Sequence, residues 1–228
     1  MIELKNVRKV FNSGKPNEFV ALQGASLTIA EQKLTILKGP SGSGKTTLLS
    51  ILGCMARPTN GRIIFRDREI TSLPERFLAE IRRSTFGFIF QQFNLIKGIT
   101  ALENVMLPAY PGGEKRLMLE QRAMALLKAY NLGAKALSKI EWLSGGEAQR
   151  VAIARAMINN PTIIIADEPT AHLDSRLSRE FMEAMLHLKN DGRTILIASH
   201  DPLVYDSDSV DRVIEMRDGA IIAPGAAS

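Results

Sequence analysis

The eight residues Gly39-Pro-Ser-Gly-Ser-Gly44-Lys45-Thr46 constrain this chain more than any other stretch. They fit the pattern G-x-x-x-x-G-K-[ST] and follow a short apolar run, Lys33–Lys38, that reads as a strand. Glycines at these positions let the backbone curl until its N–H groups point at one place, which makes an anion site. A helix starting near Lys45 adds the positive end of its dipole to the same place. Lys45 would then reach β- and γ-phosphates as a point charge, and the Thr46 hydroxyl would face Mg²⁺, a cation that prefers oxygen ligands. The candidate nucleotide-binding residues are therefore Gly39, Pro40, Ser41, Gly42, Ser43, Gly44, Lys45, Thr46 and the adjoining Thr47.

Patterning on either side of this loop sets the fold class. Ile2–Phe11 and Phe19–Ile29 alternate apolar and polar residues, as half-exposed strands do, with a turn at Asn12–Asn17. The phosphate loop leads into a helix over Lys45 to about Cys54; Arg62–Phe65 and Phe86–Phe90 read as strands, the second ending at Gln91. From about Phe93 to Met157 the pattern reads as helical throughout. Thr100 caps one segment, Pro108 and Pro111-Gly112-Gly113 break it, and Leu117, Met124, Leu127 and Tyr130 fall near one face of the next. Strands at Thr162–Ala166 and Thr194–Ala198 then flank a helix over Ser175–Lys189, whose stripe is Leu177, Phe181, Met185 and Leu188. A hairpin of Val210–Met216 and Ala220–Ile222 turns at Asp218-Gly219, and the tail from Ala223 is expected to fray. Buried strands separated by helices specify an α/β core with parallel strands, an antiparallel layer from the first strands and an inserted helical block.

Composition removes several classes of function. At 45% hydrophobic and 23% charged, the 228 residues suit a globular domain with a real core. No apolar run approaches the ~18 residues of a membrane span, and the first residues, Met1-Ile-Glu-Leu-Lys, carry no signal-peptide pattern, so a soluble chain is expected. The net charge of +5 comes without a dense Lys/Arg block, and no nucleic-acid partner is expected. Cys54, the one cysteine, excludes an intrachain disulfide and reads as a small core residue.

A second motif narrows the function. In Leu143-Ser-Gly-Gly-Glu-Ala-Gln-Arg150, Ser144 and Glu147 form a capping-box pattern. Capping does not account for Gly145 and Gly146, each of which costs a helix about 1 kcal/mol. Glycines in a first turn expose unpaired N–H groups and make a second anion site. This segment resembles the signature of the ABC ATPase family, and the resemblance covers about residues 2–222 with the family's motifs in order.

The resemblance assigns roles by position. Ile163–Ala166 followed by Asp167-Glu168 resembles the Walker B strand, which makes Asp167 a Mg²⁺ ligand through water and Glu168 the general base. Ala171-His172-Leu173-Asp174 looks like the D-loop, His200 matches the switch histidine, and Gln91 matches the glutamine that senses Mg²⁺ and the lytic water, with Gln92 as competitor. Phe11 sits where the family stacks an aromatic on adenine, although a core aromatic is the competing reading; His172 and His187 read as structural. Thus Thr46, Gln91 and Asp167 are the implied metal site, Glu168, His200, Gln91 and Lys45 the implied catalytic set, and Ser144, Gly145, Gly146 and Asp174 nucleotide contacts.

The fold implied is a P-loop NTPase core with a mainly parallel sheet. It is a single domain over 1–228, with core residues 1–91 and 159–228 and a helical subdomain at 92–158. The activity implied is hydrolysis of Mg²⁺-ATP by a head-to-tail homodimer, each ATP lying between one copy's phosphate loop and the other's signature. Its partner is an integral-membrane permease whose coupling helix sits near Gln91, and its place is cytoplasmic, peripheral on the inner face of the membrane. Thr100-Ala-Leu-Glu-Asn-Val105, Leu107-Pro108, Gln149–Ala156 and Glu215–Gly219 resemble the lipoprotein-releasing, macrolide-export and cell-division members, in some of which the motion drives periplasmic machinery. Glu147 departs from the commoner Gln and is expected to point away from nucleotide; Trp142 is expected to pack, with a further use as a reporter of dimer closure. The alternative is a soluble ABC ATPase of DNA repair or translation, but the chain has no room for the coiled coil or second domain typical of those. A nucleotide-gated switch without turnover is disfavoured by intact Lys45, Glu168 and His200.

Overall fold

A computed structural model describes residues 1–171 and 173–222. His172 and the tail from Ala223 lie outside them. Two sheets stack. In the first, β1 (Ile2–Phe11) pairs antiparallel with β2 (Phe19–Ile29) and with β4 (Asn60–Phe65), and β5 (Arg68–Glu69) closes the edge, in the order β2-β1-β4-β5. The second uses β3 (Leu34–Lys38), β6 (Phe86–Ile89), β7 (Ile163–Asp167), β8 (Thr194–Ser199), β9 (Arg212–Arg217) and β10 (Ala220–Ile222). Its order is β10-β9-β3-β8-β7-β6, parallel except for the β9–β10 hairpin. Both faces of β3, β7 and β8 are covered, so these strands read as continuous apolar runs and not as alternating ones. The hairpin turns through Asp218 (φ 49°) and Gly219 (φ 78°), a two-residue loop whose positive φ values match the strand twist.

The helices are α1 (Lys45–Leu52), α2 (Glu75–Thr85), α3 (Ala101–Met106), α4 (Arg116–Ala129), α5 (Gly145–Met157), α6 (Ser175–Asn190) and α7 (Pro202–Tyr205), with 3-10 turns at Leu107–Gly112, Gly133–Lys135 and Ile140–Trp142. Three apolar clusters result. The first lies between the two sheets around α1 and includes Cys54. The second lies under α6, where Phe181, Met185 and Leu188 fill the far face of the parallel sheet. The third joins α3, α4 and α5 in a helical insert. Helix α5 belongs to two of them, giving Ile153, Ala156 and Met157 to the sheet and Val151 and Ala154 to the insert.

Three sequence expectations are corrected, and one helix is added to them. Helix α1 stops at Leu52, because Gly53 and Cys54 (φ 58°) break it. The run after Phe93 is not helical throughout: Phe93 (φ 57°) and Asn94 (φ 49°) are left-handed, and regular helix resumes only at Ala101, behind the Thr100 capping box. Leu117 is 66% exposed; the buried face of α4 is Leu119, Ala123 and Leu127. That face repeats every four residues, and Leu117 lies two residues before it, about 200° around the helix. Helix α2 had no counterpart in the sequence reading. It starts after Pro74, carries Glu75 in its first turn and Arg82 and Arg83 in its last, and buries only Leu78 and Thr85.

Truncation of Phe181, which is 1% exposed, is expected to lower stability by about 3–5 kcal/mol in a denaturant titration, whereas Leu117→Gln should stay within about 0.5 kcal/mol of the parent. A Phe181→Ala protein as stable as the parent would show that α6 does not seal the second core.

Candidate functional site

The phosphate loop leaves the carboxyl end of β3 and turns into α1 under tight steric limits. A Cβ on Gly39 would stand 2.2 Å from the Met216 carbonyl oxygen. One on Gly44 (φ 96°) would stand 2.6 Å from that of Ala21. Only glycine fits either place. The Lys45 side chain, 5% exposed, folds back over the loop: its Nζ donates to the carbonyls of Gly39 (2.7 Å) and Pro40 (3.1 Å) and lies 3.2 Å from Glu168 Oε1. The Ser43 hydroxyl is buried with no partner, a polar group inside the anion cradle.

At the ends of β7 and β8 the remaining polar groups converge. Thr46 Oγ1 donates to Asp167 Oδ1 at 3.1 Å. Glu168 adopts φ 45° and donates its N–H to the Ala198 carbonyl, which turns its carboxylate toward the loop. Its Oε2 lies 2.9 Å from His200 Nδ1, so one carboxylate links Lys45 and His200. Burial pushes the Asp167 carboxyl above the ordinary aspartate range; the Thr46 hydrogen bond opposes this, and the Glu168 charge adds to it. A divalent cation would reverse that shift. The Thr46 hydroxyl and Asp167 carboxylate make an all-oxygen donor set, and among the described residues no three His, Cys, Asp or Glu gather as a metal cage. That suits Mg²⁺, which takes one or two carboxylates and otherwise water and phosphate oxygens.

A cavity of about 250 Å³ is lined by Ser41 to Thr47 with Gln91, Glu168 and His200; Gly39, Pro40 and Asp167 are not on its wall. Gln91 lines it and Gln92 does not. Phe11 does not line it either. Its ring is 42% exposed beneath the Lys9 ammonium, which corrects the core-aromatic alternative. Its antiparallel register partner, Phe19, is the aromatic on the cavity wall, with Ala21 beside it. The sequence reading passed over Phe19; alternation in β2 placed it on a face without saying what that face meets.

The signature segment lies outside this cavity, as does Asp174, whose carboxylate caps α6 by accepting from Leu177 N at 2.8 Å. Ser144 Oγ accepts from Glu147 N (3.3 Å) while Ser144 N donates to Glu147 Oε2 (2.8 Å), so Glu147 is held at its own helix start and that backbone hydrogen bond lowers its pKa. The two glycines separate. A Cβ on Gly146 would stand 2.7 Å from Leu177 Cδ2, a packing reason inside the fold. A Cβ on Gly145 would meet nothing within 4 Å. Trp142 is 70% exposed, which corrects the packing role; its ring has the Lys139 ammonium 5.9 Å away.

Residues 22–171, more than half of the chain, match the family described as ABC transporter. The chain belongs to the ABC transporter family. It is 44% identical over 223 residues to the macrolide export ATP-binding/permease protein MacB of Hyphomonas neptunium, covering 98% of this chain and 34% of that one. It therefore spans about a third of the length of such relatives. An uncharacterized ABC transporter ATP-binding protein of Thermotoga maritima is 40% identical and is covered to 93%. The dimeric structure of MJ0796, a bacterial ABC transporter cassette, superposes with a TM-score of 0.87 at 42% identity, covering 97% of this chain and 96% of that one. A second structure of MJ0796, a post-hydrolysis state bound to ADP and Pi, superposes equally well, at 41% identity.

Phe19→Ala in this ABC cassette is expected to weaken ATP affinity about five-fold or more and to spare kcat, since a ring on the wall of the cavity contributes equally before and during reaction. ATPase kinetics with an unchanged KM would take Phe19 out of the nucleotide site.

Proposed function

We propose that the chain binds Mg²⁺-ATP in the cavity behind the phosphate loop, hydrolyses it as a head-to-tail dimer, and so energises a membrane permease. The carrying observation is the Lys45–Glu168–His200 chain at the mouth of the glycine cradle, with the Thr46–Asp167 pair beside it. Bound Mg²⁺ would neutralise charge on the phosphates. Lys45 now balances Glu168 and two carbonyls; an incoming triphosphate competes for its ammonium and leaves Glu168 a freer base. Glu168 then takes a proton from water as the water oxygen attacks the γ-phosphorus and ADP departs, and His200 orients the carboxylate from its other oxygen. General-base help of this kind is worth about 10²–10⁴ in rate.

The dimer accounts for Gly145. Within one copy nothing crowds that position, which leaves it open to a ligand held by the second copy. A capped helix start with open N–H groups suits the terminal phosphate of a nucleotide held by the second copy. Glu147 is tied to Ser144 and does not obstruct that approach.

The permease would dock on an apolar groove of about 340 Å³ beside β6, formed by Phe86, Phe88, Phe90, Ile96 and Pro108. Relatives named ATP-binding/permease proteins suggest a permease as the partner. No described helix is long and apolar enough to cross a membrane. The place that follows from docking is the inner face of the membrane, and relatives named for macrolide and pyoverdine export suggest an export-type cargo.

Glu168→Gln should retain ATP, lose about 10²-fold or more in turnover, and elute as a dimer with ATP on size exclusion. Undiminished turnover would remove the base assignment. Ser144→Arg should leave nucleotide binding by a single copy intact and abolish turnover; an active Ser144→Arg protein would be incompatible with a shared site.

A further inference from the structure

Arg155, near the end of α5, is 8% exposed, and among the described residues its hydrogen bonds go to backbone carbonyls and not to a carboxylate. Burial alone pulls its guanidinium below the ordinary arginine range. Its two terminal nitrogens donate to backbone carbonyls, Nη1 to Asn94 at 2.6 Å and Nη2 to Phe93. Those are the two consecutive left-handed residues of the turn that follows Gln91. A buried cation spent on two carbonyls of a strained turn is an unusual expenditure unless the turn has to be held. The far end of the same segment is pinned as well. Asn104 of α3, fully buried, accepts from Ile96 N at 2.7 Å and donates to Ile96 O at 3.0 Å. The segment from Phe93 to Ile96 is thus fastened to the helical insert, while Gln91, two residues upstream, lines the nucleotide cavity of the core.

Helix α5 carries the other half of the arrangement. Its start is the Ser144-Gly145 turn, and Arg155 lies eleven residues on, about 16 Å along a continuous helix. The rod is stiffened by apolar contacts on two sides. We infer that Arg155 is a positioning residue that makes the Gln91 turn move as one body with α5, so that a nucleotide engaged at the Ser144-Gly145 start sets where Gln91 stands in the same copy's own cavity. The inference rests on the shared-site reading and deepens it: the two nucleotide sites of a dimer communicate through each copy's α5 and its guanidinium clamp.

Lysine keeps the charge at 155 but lacks the planar fork that spans two carbonyls. Arg155→Lys is therefore expected to hold the ATP affinity of a single copy within about two-fold, lower kcat about ten-fold, and bring the Hill coefficient for ATP turnover toward one. In a Gln91→Ala background the same substitution should lower kcat by less than about two-fold, because Arg155 acts through the turn that carries Gln91. Equal losses in both backgrounds, or an unchanged Hill coefficient, would overturn the inference. Should Arg155→Lys fold poorly, amide hydrogen exchange on Glu168→Gln protein reads the same coupling with Arg155 intact. On adding Mg²⁺-ATP, protection over residues 93–96 should rise together with protection over 145–149; a rise at 145–149 alone would refute the clamp. A Glu168→Gln protein that binds ATP without dimerising would fail the shared-site reading, and the inference with it.

Discussion

The site depends first on how closely the phosphate loop passes two carbonyl groups. Gly39 runs against Met216 and Gly44 against Ala21, with no space for a Cβ at either point. The loop is thereby wedged between β9 of one sheet and β2 of the other, and hydrogen bonds from Gly219 N to Ser43 O and from Gln23 N to Gly219 O tie the three together. The cradle's shape is held by tertiary contact and not by the flexibility of its glycines. That rigidity leaves the N–H groups pre-aimed at an anion, at the start of a helix whose dipole has the same sign.

Charge organises what surrounds the cradle. Lys45, Asp167 and Glu168 are all poorly hydrated, and a buried charge is tolerated only with partners. Each has one borrowed from a neighbour. Lys45 borrows Glu168 and two carbonyls; Asp167 borrows the Thr46 hydroxyl. A metal-bound triphosphate would offer stronger partners to the lysine and to Asp167, so ligand entry exchanges one set of pairings for another without uncovering a bare charge.

Helix α5 joins the sheet core to the helical insert; it begins at the capped Ser144 turn, and near its end Arg155 grips the carbonyls after Gln91. The exposed Trp142 and the uncrowded Gly145 stand at that beginning. The apolar groove beside β6 opens onto the same guanidinium, so an occupant of the groove and a nucleotide at the helix start would bear on one turn.

Several features were legible in the chain because they are local. The glycine pattern before Lys45, the cap at Thr100, the capping box at Ser144, the apolar stripe of α6 and the Asp218-Gly219 turn are each written within a few residues, where backbone hydrogen bonds and helical periodicity act. The resemblance of the ordered motifs to a family supplied the fold around them. Helix α2 was passed over although Leu78 and Ile81 mark an apolar face, because the helix is short and otherwise polar. Phe19, Arg155 and the separate reasons for Gly145 and Gly146 were beyond the sequence for a different cause. Phe19 meets a cavity built by distant segments, Arg155 meets carbonyls some sixty positions earlier, and Gly146 lies against a leucine of another helix. Such contacts are set by how the sheets and the insert pack. The linear chain thus determined which groups could do chemistry, and the packing of distant segments decided which of them meet.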